Sequence, residues 1–130
     1  MDPQRSECPI NRTVEILGDK WSLLILRDVL LRGARSFGDV LQANVEQISA
    51  PMLSRRLKHL VAEGFLEKTT AARGMQGHYA PTQKAIDAIP ILVAFAQFGS
   101  DYYPETADYF PEEFRDSQKI EAAMRMLKAE

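Results

Sequence analysis

The chain has 130 residues, 45% hydrophobic and 26% charged, with one cysteine and a formal net charge of −2. These values fit one compact soluble domain. They exclude a disulfide framework within the chain and a protein that coats nucleic acid by bulk positive charge. The charge is unevenly spread: residues 1–100 hold twelve Lys/Arg and ten Asp/Glu, residues 101–130 four and eight. An acidic end therefore masks a mildly basic body, the sign that a phosphate backbone requires. Residues 1–12 are polar and lack the apolar stretch of a secretory signal. The longest uncharged run, residues 88–100, has 13 residues, short of the roughly 20 that span a bilayer. The expectation is a cytoplasmic protein with no membrane partner.

In chain order, residues 11–17 read as a short helix with Val14 and Leu17 apolar at i and i+3, stopped by Gly18. Asp19 caps a second helix over 20–31. Trp21, Leu23, Leu24, Ile25, Leu26, Val29, Leu30 and Leu31 surround it on nearly every side, which marks it as the hub of the core. Gly33 ends it. Ser36 caps a third helix, with Asp39 in a capping-box-like position and Phe37, Val40 and Leu41 facing inward. Residues 44–48 form a turn. Ser49 caps a fourth helix with Pro51 in its first turn; Leu53, Leu57, Leu60 and Val61 form its apolar stripe and Gly64 its stop. Residues 65–72 and 78–82 are two short extended runs around a glycine-bearing turn, a hairpin. Thr82 then caps a long helix to about Gly99, which Pro90 should kink or restart. A last helix is expected to begin at residues 111–113, with Ile120, Met124 and Leu127 as its stripe.

The order helix, helix, helix-turn-helix, hairpin, helix is mainly α with a small β-hairpin: a winged helix-turn-helix. On the fourth helix a period of about 100° per residue turns the leucines inward. It turns Pro51, Arg55, Lys58 and His59 outward, with Ser54 and Arg56 on the flanks. Arg55 can read guanine, and Arg56 and Lys58 suit phosphates. Ser36, Ser49 and first-turn N–H groups can meet a phosphate at a helix N-terminus. The only acid on this helix is Glu63, near its far end, whereas an ordinary solvated face mixes signs. Lys68, Arg73, Gln76 and His78 would equip the hairpin as a wing along the minor groove or the phosphates; the competing reading of any one of them is a plain flexible turn.

Several segments resemble the HxlR-type regulators of the MarR-like winged-helix group. These are Cys8-Pro9-Ile10, the run ILGDKWSLLILRD at 16–28, RSFGDVL at 35–41, Ile48-Ser49, MLSRRLK at 52–58, Gly64-Phe65-Leu66 and Tyr79-Ala80-Pro81-Thr82. The resemblance covers residues 8–98 and implies a bacterial cytoplasmic homodimer, commonly a repressor, on a palindromic double-stranded DNA operator. Three features depart from the family pattern. Ala50 and Pro51 stand where long polar residues usually follow the capping serine, which puts more of the reading on Arg55. The wing has no proline pair. The helical extension after Tyr103 is longer than usual.

Some members of that family sense oxidants or electrophiles through a cysteine near the N-terminus, and Cys8 matches its place. Arg5 and Arg12 could activate the thiol and Glu7 opposes them; the alternative is an unreactive thiol at a dimer seam. Surplus apolar residues predict a dimer interface of Ile10, Val14, Leu92, Phe95, Phe98, Tyr102 and Tyr103. The alternative is a C-terminal helix folded back over that face. The division expected is a DNA-binding domain over 1–100, carrying N- and C-terminal dimerisation helices, and an acidic helical extension over 101–130. No nucleophile motif, phosphate loop or metal-spaced cluster points to an enzyme, a cofactor or a metal; a small-molecule or oxidant effector is compatible with the class. The rival function is a winged-helix adaptor that binds proteins and not DNA.

Overall fold

The computed structural model describes residues 5–69 and 77–129. Cys8 is the last extended residue before helix α1 (Pro9–Leu17), which starts two residues earlier than expected because a proline costs little in a first turn. Helix α2 (Ser22–Arg32) follows a tight turn organised by Asp19. Its carboxylate accepts the backbone N–H groups of Trp21 (3.0 Å) and Ser22 (2.9 Å) and the Ser22 hydroxyl (2.6 Å). One side chain thus satisfies three donors at a helix entry, where N–H groups lack helical partners. Gly33 ends α2 in the left-handed region at φ 72°.

Helix α3 (Phe37–Ala43) carries the reciprocal cap. Ser36 Oγ accepts the Asp39 N–H (3.0 Å), and the Asp39 carboxylate reaches back to the N–H of Arg35 (3.2 Å), one residue earlier than in a standard capping box. A turn follows in which Gln47 takes φ 64°, alone among the described non-glycine residues in being left-handed. Helix α4 (Ala50–Ala62) is capped by Ser49 Oγ, which accepts the Met52 N–H at 3.3 Å. Gly64, at φ 82°, turns the chain into strand β1 (Leu66–Thr69), which pairs antiparallel with β2 (His78–Pro81). Leu66 faces Pro81 and Thr69 faces His78. The Tyr79 N–H donates to the Arg35 carbonyl (2.6 Å), which fixes the hairpin to the segment entering α3.

Pro90 acts as expected. Helix α5 (Gln83–Ile86), capped by Thr82, stops, and α6 (Ile89–Tyr102) restarts with the proline in its first turn. Beyond two 3-10 turns (Pro104–Tyr109 and Glu112–Phe114), α7 (Ser117–Lys128) begins later than expected. Phe114 is drawn into the core by the second of these turns, and Asp116, in extended conformation, caps α7 by accepting the Lys119 N–H at 2.8 Å.

The core is built on α2, as its all-round apolarity predicts. Ile25, Leu26 and Val29 pack with Val40 of α3, Leu53, Leu57 and Leu60 of α4, Leu66 of β1, Ile86 of α5 and Ile89 of α6. Each such side chain contributes about 1.5–3 kcal/mol on burial. Phe114 and Leu127 belong to the same core, with Phe110, Ile120 and Met124 packed against it. The acidic C-terminal region is therefore docked on the helices before it.

Candidate nucleic-acid interface

Helix α4 stands on three buried leucines, Leu53, Leu57 and Leu60, and shows its opposite side to solvent. Pro51, Arg55 and Lys58 are exposed there and Ser54 is half-buried beside them. Among the described residues neither Arg55 nor Lys58 makes an ion pair; the Arg55 guanidinium rests 3.9 Å from the Met52 sulfur. Ser54, Leu57 and Lys58 form one wall of a concavity of about 660 Å³, Phe37 and Gly38 of α3 another, and Lys68, Gly77 and Tyr79 of the hairpin a third. Lys68 lies over the Tyr79 ring (5.6 Å to the centroid), which steadies its stem while the residue stays exposed. His78 is exposed at the hairpin. Lys58 and Lys68 thus face one hollow from two consecutive elements, α4 and β1.

Two residues of the expected strip lie elsewhere. His59 does not point outward: its Nε2 is 2.8 Å from the Ile16 carbonyl at the end of α1. Arg56 is turned toward the α1–α2 turn, 3.5 Å from the Asp19 carboxylate, and its Nε is buried with no hydrogen-bond partner. Burial tends to raise the Asp19 pKa; the bonds from Ser22 and Trp21 and the nearby Arg56 outweigh it and hold the carboxyl below the usual range. The true spacing of the outward face is therefore Pro51, Arg55 and Lys58, with Arg56 and His59 docking α4 on the N-terminal helices. Ser36 and Ser49 sit at their helix starts with each Oγ accepting a cap bond. With Met52 N–H on Ser49 Oγ and no N–H on Pro51, the first turn of α4 keeps the Ala50 N–H for an anion. Arg73 and Gln76 lie outside the described residues.

Sequence reasoning missed the polar network behind the helix-turn-helix. Asp28 is fully buried in the apolar helix α2 and accepts from Arg27 Nε (3.0 Å); its Oδ1 is 3.2 Å from Arg32 Nη1 and its Oδ2 3.5 Å from Asn44 Nδ2. Arg27 clamps Glu46 in the α3–α4 turn with two bonds of 2.8 and 2.7 Å. Asn44 Oδ1 accepts the Ile48 N–H (2.9 Å) and Arg32 donates to the Ala43 carbonyl (2.8 Å). The bonds from Arg27 hold the Glu46 carboxyl below its ordinary range in spite of partial burial. This network fixes the turn that aims α4. A lone acid in a helix with apolar residues on nearly every side was the available signal, since such a charge is buried only with partners, here Arg27 and Arg32 of the same helix.

On the remaining surface, Cys8 is exposed at the start of α1. Arg5, expected to activate it, instead donates to Asn11 Oδ1 (2.7 Å) and Glu15 (3.3 Å). Ile10 and Val14 on α1, Phe95, Phe98 and Tyr102 on α6 and Tyr103 just after it are exposed, Ile10 by 74% and Phe95 by 64%; Phe98 and Tyr102 stack at 4.7 Å. Leu92 is not available to a partner: it is buried in the chain's own core. No helix among the described residues is long and apolar enough to cross a membrane.

A leucine-anchored second helix of the helix-turn-helix, a hairpin beside it and an exposed cationic face define a winged helix-turn-helix protein. The HxlR-like helix-turn-helix family matches residues 16–107, and the chain belongs to that family. It is 33% identical over 96 residues to the uncharacterized HTH-type transcriptional regulator Rv3095 of Mycobacterium tuberculosis, a match covering 73% of this chain and 59% of that protein. It is 32% identical to the uncharacterized HTH-type regulator sll1512 of Synechocystis, over 73% of this chain and 70% of the other. The chain thus spans under two thirds of the length of its mycobacterial relatives. Among solved structures it resembles PA1607, provisionally described as a transcription factor (TM-score 0.69, 33% identity, 77% of this chain and 68% of that one). It also resembles the reduced form of the transcriptional regulator YodB from Bacillus subtilis (TM-score 0.59, 25% identity, 75% and 95%).

Proposed function

We propose that the chain is a sequence-specific double-stranded DNA-binding regulator that reads a palindromic operator as a homodimer and represses transcription. The observation that carries this is the face of α4: Arg55 and Lys58 exposed and without ion pairs, with Lys68 across the hollow. A helix so equipped fits the major groove, with Arg55 placed for a guanine edge and the lysines for flanking phosphates. The family supports the reading, since the relatives above are named as transcriptional regulators. The homodimer is inferred from the apolar side chains exposed on α1 (Ile10, Val14) and on α6 (Phe95, Phe98, Tyr102). A two-fold pair would present two α4 helices to half-sites about one DNA turn apart.

Oxidant or electrophile sensing at Cys8 is part of the proposal. Cys8 opens α1, and α1 reaches α4 through the Ile16–His59 bond, so an intersubunit disulfide or a thiol adduct at Cys8 could alter the spacing of the reading helices. One neighbour, YodB, was solved in a form described as reduced.

Selection of bound duplexes from random DNA, with and without diamide, tests the whole reading. The expected result is a palindromic consensus whose affinity falls steeply with salt as counterions are released. Binding that is absent, or indifferent to salt, sinks it in favour of a protein-binding adaptor. A Cys8→Ser chain that keeps the wild-type diamide response removes the sensing role alone.

A further inference from the structure

We propose that Lys20, in the turn between α1 and α2, is a further contact to DNA and takes a phosphate on the strand opposite the one met by Lys68. The inference rests on the regulator reading above and extends its surface beyond the helix-turn-helix and the hairpin. Helix α4 turns by about 100° per residue, so the face of Arg55 and Lys58 has two flanks. Ser54 and Val61 lie on one, where they line the hollow shared with Lys68 and Tyr79 of the hairpin. Arg56 and His59 lie on the other, where they meet the Asp19 carboxylate at 3.5 Å and the Ile16 carbonyl at 2.8 Å. The reading face therefore runs between the hairpin and the α1–α2 turn.

Groove dimensions decide what those two neighbours would touch. A helix with its side chains is about 10–12 Å across, and the major groove of B-DNA is about 12 Å wide. A helix seated there fills the groove, and the elements on its two flanks each meet one of the two sugar–phosphate backbones that bound it. Lys68 serves the hairpin side. In the turn on the other side Lys20 is the cation; it is exposed, and among the described residues it makes no hydrogen bond or ion pair. The acid beside it, Asp19, is turned onto the N–H groups of Trp21 and Ser22, the Ser22 hydroxyl and Arg56. That acid is already paired and the backbone donors at the start of α2 are taken, which leaves the Lys20 ammonium as the group that answers a phosphate.

The ammonium lies over the indole of Trp21, 5.2 Å from the ring centroid. Trp21 is half-buried and packed against the core, so its ring is a fixed support that orders the lysine stem before DNA arrives. At an exposed site this attraction is weak, and a phosphate, which carries a full negative charge, displaces it. Trp21 is the chain's one tryptophan, so a single fluorophore reports the passage of the ammonium from ring to phosphate.

The test uses the duplex selected from random DNA, rebuilt with one neutral methylphosphonate at a time, and the full chain as wild type, Lys20→Gln, Lys20→Arg and Lys68→Ala. Lys20→Gln should melt as the wild type does. It should bind matched and mismatched duplexes alike about three- to tenfold more weakly near 0.15 M salt and lower the salt slope by about one, whereas Lys20→Arg should keep the slope. In each half-site one phosphate should matter to the wild type and not to Lys20→Gln, on the strand opposite the phosphate that loses its effect in Lys68→Ala. Trp21 emission should change on duplex binding in the wild type and not in Lys20→Gln; a change that survives intact in the variant overturns the exchange. Unaltered affinity and slope in Lys20→Gln, no methylphosphonate position specific to it, or one strand shared by the two lysines each overturns the contact. A wild-type chain that binds no duplex overturns the regulator reading and this contact with it, whereas a bound duplex indifferent to Lys20 overturns the contact alone.

Discussion

Arg55 and Lys58 differ in what their loss should do. Arg55→Ala removes a fork of donors suited to guanine, so it should cost about 1–3 kcal/mol on the preferred duplex and relax preference at one position. Lys58→Ala and Lys68→Ala should weaken binding to all duplexes alike and each lower the salt slope by about one. Fluorescence anisotropy across a salt series with matched and mismatched duplexes separates these outcomes. Arg56 and His59 show where the helical period stops being informative. Arg56 was expected on the flank and His59 on the outward face, and 100° per residue cannot say whether such a residue meets solvent or another helix. The Asp19 carboxylate and the Ile16 carbonyl decided it, and both come from a turn and a helix far away in sequence. Asp28 is the opposite case: its burial makes Asp28→Ala leave Arg27 and Arg32 short of a partner and Asn44 underpaired. A loss of about 2–4 kcal/mol is expected in urea unfolding, below the largest buried-pair values because both arginines keep other acceptors.

At the scale of elements, the caps were legible. Ser36, Ser49 and Thr82 each start a helix where expected, because a short side-chain oxygen answers a local need three residues away. Pro90 divided α5 from α6 for an equally local reason, its missing N–H. The start of α7 was not legible, because the core contact of Phe114 overrode the helix-start signal of Pro111 and its acids. The α3–α4 turn was recognised as a turn, but its hold on α2 was not. Glu46→Gln tests that hold. The Arg27 bonds keep Glu46 ionised below the ordinary glutamate range, so its stabilisation is fully present above that range and is lost as pH falls through the lowered folded-state value. At neutral pH the substitution should cost about 1 kcal/mol, discounted because the Glu46 side chain is 36% exposed. Melting curves of the two chains should converge as the solution is acidified into the carboxylate range; a gap that persists there contradicts the assignment.

For the whole molecule, the exposed apolar side chains of α1 and α6 are the feature the isolated chain leaves unexplained. Phe98→Glu should yield monomers in light scattering at micromolar concentration and abolish operator binding while monomer melting stays near wild type. Wild-type protein that is itself monomeric would remove the dimer from the proposal. The periodicities, caps and punctuating glycines and prolines of this sequence determined its helices, its hairpin and their order, since these depend on residues within four or so positions of one another. The leucines of α4 likewise determined which side of that helix is buried. Only the tertiary structure decided that Leu92 is core and Phe95 is surface, that Arg56 and His59 serve docking, and that the acidic end packs on the body. Those outcomes depend on which distant segment arrives to desolvate or pair a side chain, and a one-dimensional pattern holds no distance between segments.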